Sequence, residues 1–312
     1  MNEDLPSVTK TDRFVILVHG FGENAQISPL LTSGRQAYQN QGWNVIVVDW
    51  SGGSSLPSYW QSAANVRTVG AMIGQLVVKW NIISQTRLVG YSLGGQIIGE
   101  AGRYVQNMSN GHKIPSCHGL DPAGPFYTGC SGIELGPSDC DLVEVIHSSA
   151  EPIPTLSLVT LRLGSATKMG HCDYWVNCGY NQGLCQVMSS TMIFFSLKLP
   201  DLNSKIDGLL DRLVPTLNHV INLDYKVTTE VIRMAECDHS RAILVYISQI
   251  EGNCNYRVHP CPDCGQAPVC HPNLNITAGH GLPPNSKCEA NQGHRDFYVK
   301  SYNSADKHYC DE

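Results

Sequence analysis

The sequence predicts an α/β fold: a mostly parallel sheet with helices on both faces. Three observations carry that expectation. Apolar runs of strand length alternate with a long segment of helical period. The first such run, Phe14-Val15-Ile16-Leu17-Val18, is apolar at every position, as for a strand buried on both faces. Another, Leu88-Val89, runs directly into Gly90-Tyr91-Ser92-Leu93-Gly94-Gly95, a glycine-flanked serine placed where a strand ends and a helix starts.

Taken in order, strands are expected over 13–18, 44–50, 86–91 and 142–147. The segment 59–80 is expected to be a helix, because Ala63, Val66, Val69, Met72, Ile73, Leu76 and Val77 recur at helical spacing. A second helix should begin at about Gln96. Beyond about residue 250 the chain turns rich in Cys, Pro, Asn and Gly, which suggests an irregular end held by disulfides. No repeat or low-complexity segment interrupts the pattern.

Composition narrows the function. With 312 residues, 42% hydrophobic and only 15% charged, the chain can bury a large core. A net charge of −6 without a basic run gives nucleic-acid binding no electrostatic support. No apolar stretch reaches the length that spans a bilayer. Thirteen cysteines, all from Cys117 onward, indicate an oxidising compartment, and the odd number leaves at least one unpaired within the chain. Two sequons, Asn107-Met108-Ser109 and Asn275-Ile276-Thr277, are compatible with a secreted glycoprotein. The acidic start, residues 1–6, is not a signal peptide, so the leader is expected to be absent from this chain.

The serine motif carries the chemistry. A bare Gly-x-Ser-x-Gly arises by chance in roughly one chain in ten of this length, so context decides. A sharp strand-turn-helix elbow exposes the Ser92 hydroxyl, and the helix that follows aims its N-terminus at the reacting centre. The strand 13–18 ends in His19-Gly20-Phe21-Gly22, a loop able to turn backbone N–H groups inward. Leu93 and Phe21 are thus the candidate N–H donors to an oxyanion, each worth roughly 3 to 4 kcal/mol. A serine hydrolase also needs an acid and a histidine. In α/β-hydrolases both follow the serine. Asp121, in Gly119-Leu120-Asp121-Pro122, stands where the acid should leave a strand. Spacing does not choose the histidine, because His147, His171, His219, His239, His259 and His271 all follow Asp121.

Taken together the motifs resemble the pancreatic-lipase-like family of secreted lipases and phospholipases A1. The matching stretches are 14–21, 45–50, 65–70, 90–95, 119–125, 143–147, 170–175 and 237–241, in the family's order. The resemblance implies an α/β-hydrolase fold with a disulfide-rich C-terminal part. It implies Ser92 as nucleophile, Asp121 as triad acid, His239 as general base, and Phe21 and Leu93 as oxyanion donors. It implies a single catalytic domain over 1–312, a lid-like insertion at 185–237 closed by Cys185 and Cys237, and no C-terminal lipid-binding β-sandwich. Within that insertion Ile206, Leu209, Leu210, Leu213 and Leu217 form an apolar stripe at helical spacing. The family pattern also implies disulfides Cys254–Cys261 and Cys264–Cys270, against a zinc reading of Cys261-x-x-Cys264…Cys270-His271, and a pair Cys288–Cys310. Gly136 stands where some members carry a carboxylate for calcium, so no metal or other cofactor is expected. The implied activity is hydrolysis of carboxylic esters in lipids through an acyl-enzyme, on a lipid substrate at a membrane or emulsion surface and with no dedicated protein partner. Triacylglycerol lipase and phospholipase A1 are the two forms, and the long insertion leans to neutral glycerides. A catalytically inactive yolk-like or lipid-binding protein is the reading from another class. Secretion to the extracellular space goes with the family.

Overall fold

The computed structural model describes residues 9, 11–54, 58–150, 163–179, 182, 225–252, 256, 258–261, 283, 286, 288–292 and 295–299, with the backbone alone described over 225–235. Eight strands form one sheet in the order β2-β1-β3-β4-β5-β6-β8-β7. They are β1 (Phe14–Val18), β2 (Asn44–Val48), β3 (Thr86–Tyr91), β4 (Ser116–Leu120), β5 (Leu142–His147), β6 (Cys172–Val176), β7 (Val258–Pro260) and β8 (Arg295–Val299). All neighbours pair parallel except β7 with β8. Among the described residues the α-helices are α1 (Arg35–Asn40), α2 (Tyr59–Lys79), α3 (Leu93–Met108) and α4 (Tyr225–Ile250).

Strand alternation splits the core between the two faces. Val15 and Leu17 of β1 pack with Tyr38 of α1 and with Ala242, Val245 and Tyr246 of α4. Phe14, Ile16 and Val18 pack on the other face with Val66, Ile73 and Val77 of α2 and with Ile97, Ala101 and Val105 of α3. Because β1 is covered on both sides, every one of its residues is buried, as its unbroken apolar run requires. The helix expected over 59–80 is α2, and the strands expected over 13–18, 44–50, 86–91 and 142–147 are β1, β2, β3 and β5.

Two expectations are corrected. The region past residue 250 is not wholly irregular, since β8 adds to β6 and β7 adds to β8 at the sheet edge. Cys288 pairs with Cys172 of β6, not with Cys310. A second disulfide, Cys117–Cys140, ties β4 to the segment before β5. Cys178, Cys237 and Cys261 are disulfide-bonded as well, while Cys130 is free and exposed. The stripe 206–217, Cys185, and the pairings expected for Cys254, Cys264, Cys270 and Cys310 lie outside the described residues. The last part of the segment expected as a lid-like insertion is helical, because α4 already runs from Tyr225. No helix among the described residues is long and apolar enough to cross a membrane.

Candidate active site

β3 hands the chain straight to α3 and leaves Ser92 between them at φ 55°, ψ −121°. A non-glycine residue holds such a backbone only where its surroundings fix it. Here the Ser92 N–H donates to the Leu120 carbonyl at 3.1 Å, and the Ser92 carbonyl accepts from Gly95 N–H at 2.9 Å and Ala123 N–H at 3.0 Å. The motif glycines have a steric cause. A Cβ on Gly90 would lie 2.1 Å from the Gly94 carbonyl oxygen, and a Cβ on Gly94 would lie 2.3 Å from that of Val18. The elbow is therefore wedged against β1 and closed to side chains at both positions.

The loop after β1 lies against the same serine, since a Cβ on Gly20 would approach the Ser92 Cβ to 2.9 Å. Its N–H groups divide by use. Gly20 N–H donates to Glu23 Oε2 at 3.1 Å and Gly22 N–H to the Ser54 carbonyl at 3.0 Å. Among the described residues no acceptor engages the N–H of Phe21 or of Leu93. His19 is structural. Burial lowers its pKa against the raising effect of the Gly20 carbonyl, Glu23 and Asp49. Neutral, it donates from Nδ1 to the Gly20 carbonyl at 2.8 Å and accepts the Trp50 N–H on Nε2 at 3.0 Å.

Asp121 follows the last residue of β4 at φ 42° and is fully buried. Its N–H donates to the Ile146 carbonyl at 2.7 Å. One carboxylate oxygen accepts the Ser148 N–H at 2.8 Å, and the other accepts Nδ1–H of His239 at 2.6 Å. His239 sits on α4, 118 residues away in the chain. Its ring centroid is 4.8 Å from that of Tyr91, the neighbour of Ser92. His239 Nε2 is buried and makes no hydrogen bond, so the Ser92–His239 hydrogen bond is not formed here. Burial lowers the His239 pKa, but the hydrogen bond and charge of Asp121, with the charges of Glu236 and Glu23, outweigh it and leave the group raised above 6.5.

Of the other histidines after Asp121, three lie among the described residues. His147 shares a 2.6 Å hydrogen bond with Asp173 and stacks on Trp175 at 3.9 Å. His171 Nδ1 accepts the Val143 N–H at 2.9 Å. His259 is on the edge strand β7. His219, His271, His280, His294 and His308 lie outside the described residues.

A file of buried polar side chains anchors α4. Tyr246, two turns beyond His239, shares hydrogen bonds with Tyr38 at 2.5 Å and with His118 Nδ1 at 2.8 Å. Burial, then the charge of Arg87, pushes the His118 pKa well below 6.5, so its 3.6 Å approach to Glu144 joins a neutral ring to a carboxylate. Ser148 adds a second tie: its hydroxyl donates to the His239 carbonyl at 3.1 Å and accepts the Ala242 N–H at 3.2 Å.

Ser148, Glu236 and Gly164 were not anticipated from the sequence. A Cβ on Gly164 would lie 2.5 Å from the Asp121 carboxylate. No spacing signal marks any of the three, and Ser148 falls one residue beyond the 143–147 stretch. At 134–139, the Asp139 carboxylate is engaged by Arg103 at 2.7 Å and by the Gly136 N–H at 2.8 Å. Among the described residues no group of three or more His, Cys, Asp or Glu side chains is arranged to hold a metal ion.

The mostly parallel eight-stranded sheet, with helices on both faces and a serine elbow after β3, defines an α/β-hydrolase. The family model described as Lipase matches residues 6–196, and the chain belongs to that family. It is similar to the inactive pancreatic lipase-related protein 1 of Canis lupus familiaris, 31% identical over 268 residues, covering 84% of this chain and 52% of the relative. Pancreatic lipase-related protein 2 of Rattus norvegicus is 31% identical, over 78% of this chain and 46% of that protein. Pancreatic triacylglycerol lipase of Mus musculus is 33% identical, over 55% and 36%. The chain thus spans about half the length, or less, of these relatives. Among solved structures, a putative hydrolase of the alpha/beta superfamily from Xanthomonas campestris pv. campestris aligns with TM-score 0.32 at 14% identity, over 45% of this chain and 73% of that one.

Proposed function

We propose that the protein hydrolyses carboxylic ester bonds in lipids, with Ser92 as nucleophile, His239 as general base and Asp121 as the acid that orients it. The observation that carries this is the 2.6 Å Asp121–His239 hydrogen bond beside the elbow that presents Ser92. With Nδ1–H held by Asp121, His239 is left with Nε2 as its basic nitrogen, the atom that takes the Ser92 proton as the hydroxyl attacks the ester carbonyl. Asp121 stabilises the imidazolium that results, and His239 returns the proton to the leaving alcohol. The Phe21 and Leu93 N–H groups receive the developing oxyanion. Water, deprotonated in turn by His239, cleaves the acyl-enzyme.

The substrate within this reading is a triacylglycerol or a phospholipid cleaved as by a phospholipase A1, reached outside the cell. Rates on emulsified triolein and on phosphatidylcholine vesicles separate the two: hydrolysis of either supports the reading, and hydrolysis of neither refutes it. The similarity to an inactive pancreatic lipase-related protein favours a second reading, a lipid-binding protein without turnover. It predicts lipid binding with no reaction of Ser92 toward a fluorophosphonate.

A further inference from the structure

We propose that Trp60 and Phe126 form an interfacial anchor that seats the protein on an uncharged or zwitterionic lipid surface, at the rim of the proposed ester site. This rests on the lipid-hydrolase reading, because it names the surface from which that site would draw substrate. Both residues are large, apolar and exposed, Trp60 at 69% and Phe126 at 62%. Trp60 stands in the first turn of α2, in the connection that leaves β2. Phe126 follows β4, five residues after Asp121. The parallel pairing puts the C-terminal ends of β1 to β4 on one edge of the sheet, the edge that also carries Ser92.

An aromatic file joins this rim to the site. Phe21, the candidate oxyanion-loop residue, packs edge-on against Tyr59 at 5.2 Å. Tyr59 stacks on Phe126 at 5.9 Å and donates its hydroxyl to the Pro125 carbonyl. Trp60 is the next residue along α2. The rings at the outer end of the file stay exposed, although the same stretch buries Tyr127 against α2 through a hydrogen bond to the Ala63 carbonyl.

Charge identifies the occupant. Residues 51–66 and 122–133 contain no Asp, Glu, Lys or Arg, in a chain where these make up 15%. Such stretches offer anionic headgroups or nucleic acid no cation to pair with. A rim of indole and phenyl rings fits the boundary between headgroup and acyl chain, where aromatic residues are favoured. The other exposed large apolar residues on helices, Met72 and Met108, lie further along α2 and at the end of α3, away from the serine end of the sheet.

The test measures partition onto phosphatidylcholine vesicles by co-sedimentation, in a Ser92→Ala background so that lipid is not consumed. Trp60→Ser with Phe126→Ser should weaken partition about tenfold or more, since each ring loses most of its transfer free energy. Met72→Ser should leave partition unchanged. Adding phosphatidylglycerol or salt should change it little. With Ser92 restored, the double variant should keep its kcat on a soluble short-chain ester and lose activity on vesicles or emulsions. The proposal is overturned if the double variant partitions like the parent, if binding needs anionic lipid, or if the two rings prove to hold a dimer that the substitutions dissociate. Failure of the hydrolase reading looks different: no turnover of the soluble ester, with ring-dependent vesicle binding intact.

Discussion

Asp121→Asn is the substitution whose outcome the geometry specifies most tightly. Asp121 accepts two hydrogen bonds, the Ser148 N–H at 2.8 Å and His239 Nδ1–H at 2.6 Å. An asparagine at this position has one oxygen and one NH2 group. The Ser148 amide can only donate, so it holds the asparagine oxygen. The NH2 group then faces His239 Nδ1 and turns it into an acceptor. The imidazole proton moves to Nε2, the atom that receives the proton of Ser92 in the proposed mechanism. The volume is unchanged, and one hydrogen bond to each neighbour survives, so the fold persists. The wrong tautomer costs about 10⁴-fold in kcat, close to 5.5 kcal/mol at the barrier. The assay is hydrolysis of a soluble short-chain p-nitrophenyl ester, which avoids lipid-surface effects, with circular dichroism to confirm folding. A folded Asp121→Asn variant whose kcat stays within about tenfold of the parent would refute the assignment of both residues.

Three further predictions are smaller in scope. Activity on the soluble ester should rise with pH through a midpoint above 6.5, because the base must be neutral and its pKa is raised. Glu236→Gln removes a charge that favours the imidazolium, so that midpoint should move down, and a midpoint that stays put or rises would contradict the cause given. The same raised pKa sets a stability sign: the His239 contribution is complete below about 6.5 and fades as pH climbs through the folded value. Tyr246→Phe strips a buried partner from Tyr38 and from His118 and should cost about 1 to 3 kcal/mol in denaturant unfolding, while leaving the pH midpoint in place; an unchanged Cm would show that the polar file does not hold α4. Replacing Cys172 and Cys288 together by Ala opens a closure of 116 residues, with an expected loss of about 4 to 5 kcal/mol, and a Tm that does not move would contradict the pairing.

Elements with a clean pattern were legible in the sequence. β1 reads as an unbroken apolar run because both faces are covered, and α2 shows its buried stripe at Val66, Ile73 and Val77. The strands that no apolar run marks carry buried polar residues whose partners are remote. β4 holds His118, kept neutral by burial and hydrogen-bonded to Tyr246. β6 holds Asp173, bonded to His147 and to the Met169 and Gly170 amides. β8 holds Asp296, which accepts from Trp175 Nε1 and from Lys168. Each reads as a surface residue until its partner is in view. The same limit applies to the site. Ser92 and its glycines form a local motif because their constraint is local, a turn with no room for two Cβ atoms. His239 meets Asp121 across 118 residues, so resemblance to a family was needed to prefer it over the other histidines that follow Asp121. Ser148 reaches Asp121 through its backbone amide, which no side-chain pattern records.

The claim on which the account turns is that Ser92 is the nucleophile, and covalent labelling tests it without a choice of lipid. The full chain is treated with a fluorophosphonate, digested, and the modified peptide located by mass. The account predicts one phosphonylated residue, Ser92, with labelling abolished in Ser92→Ala and strongly slowed in His239→Gln. A folded protein that takes no label, or takes it at another serine while Ser92 remains free, would contradict it.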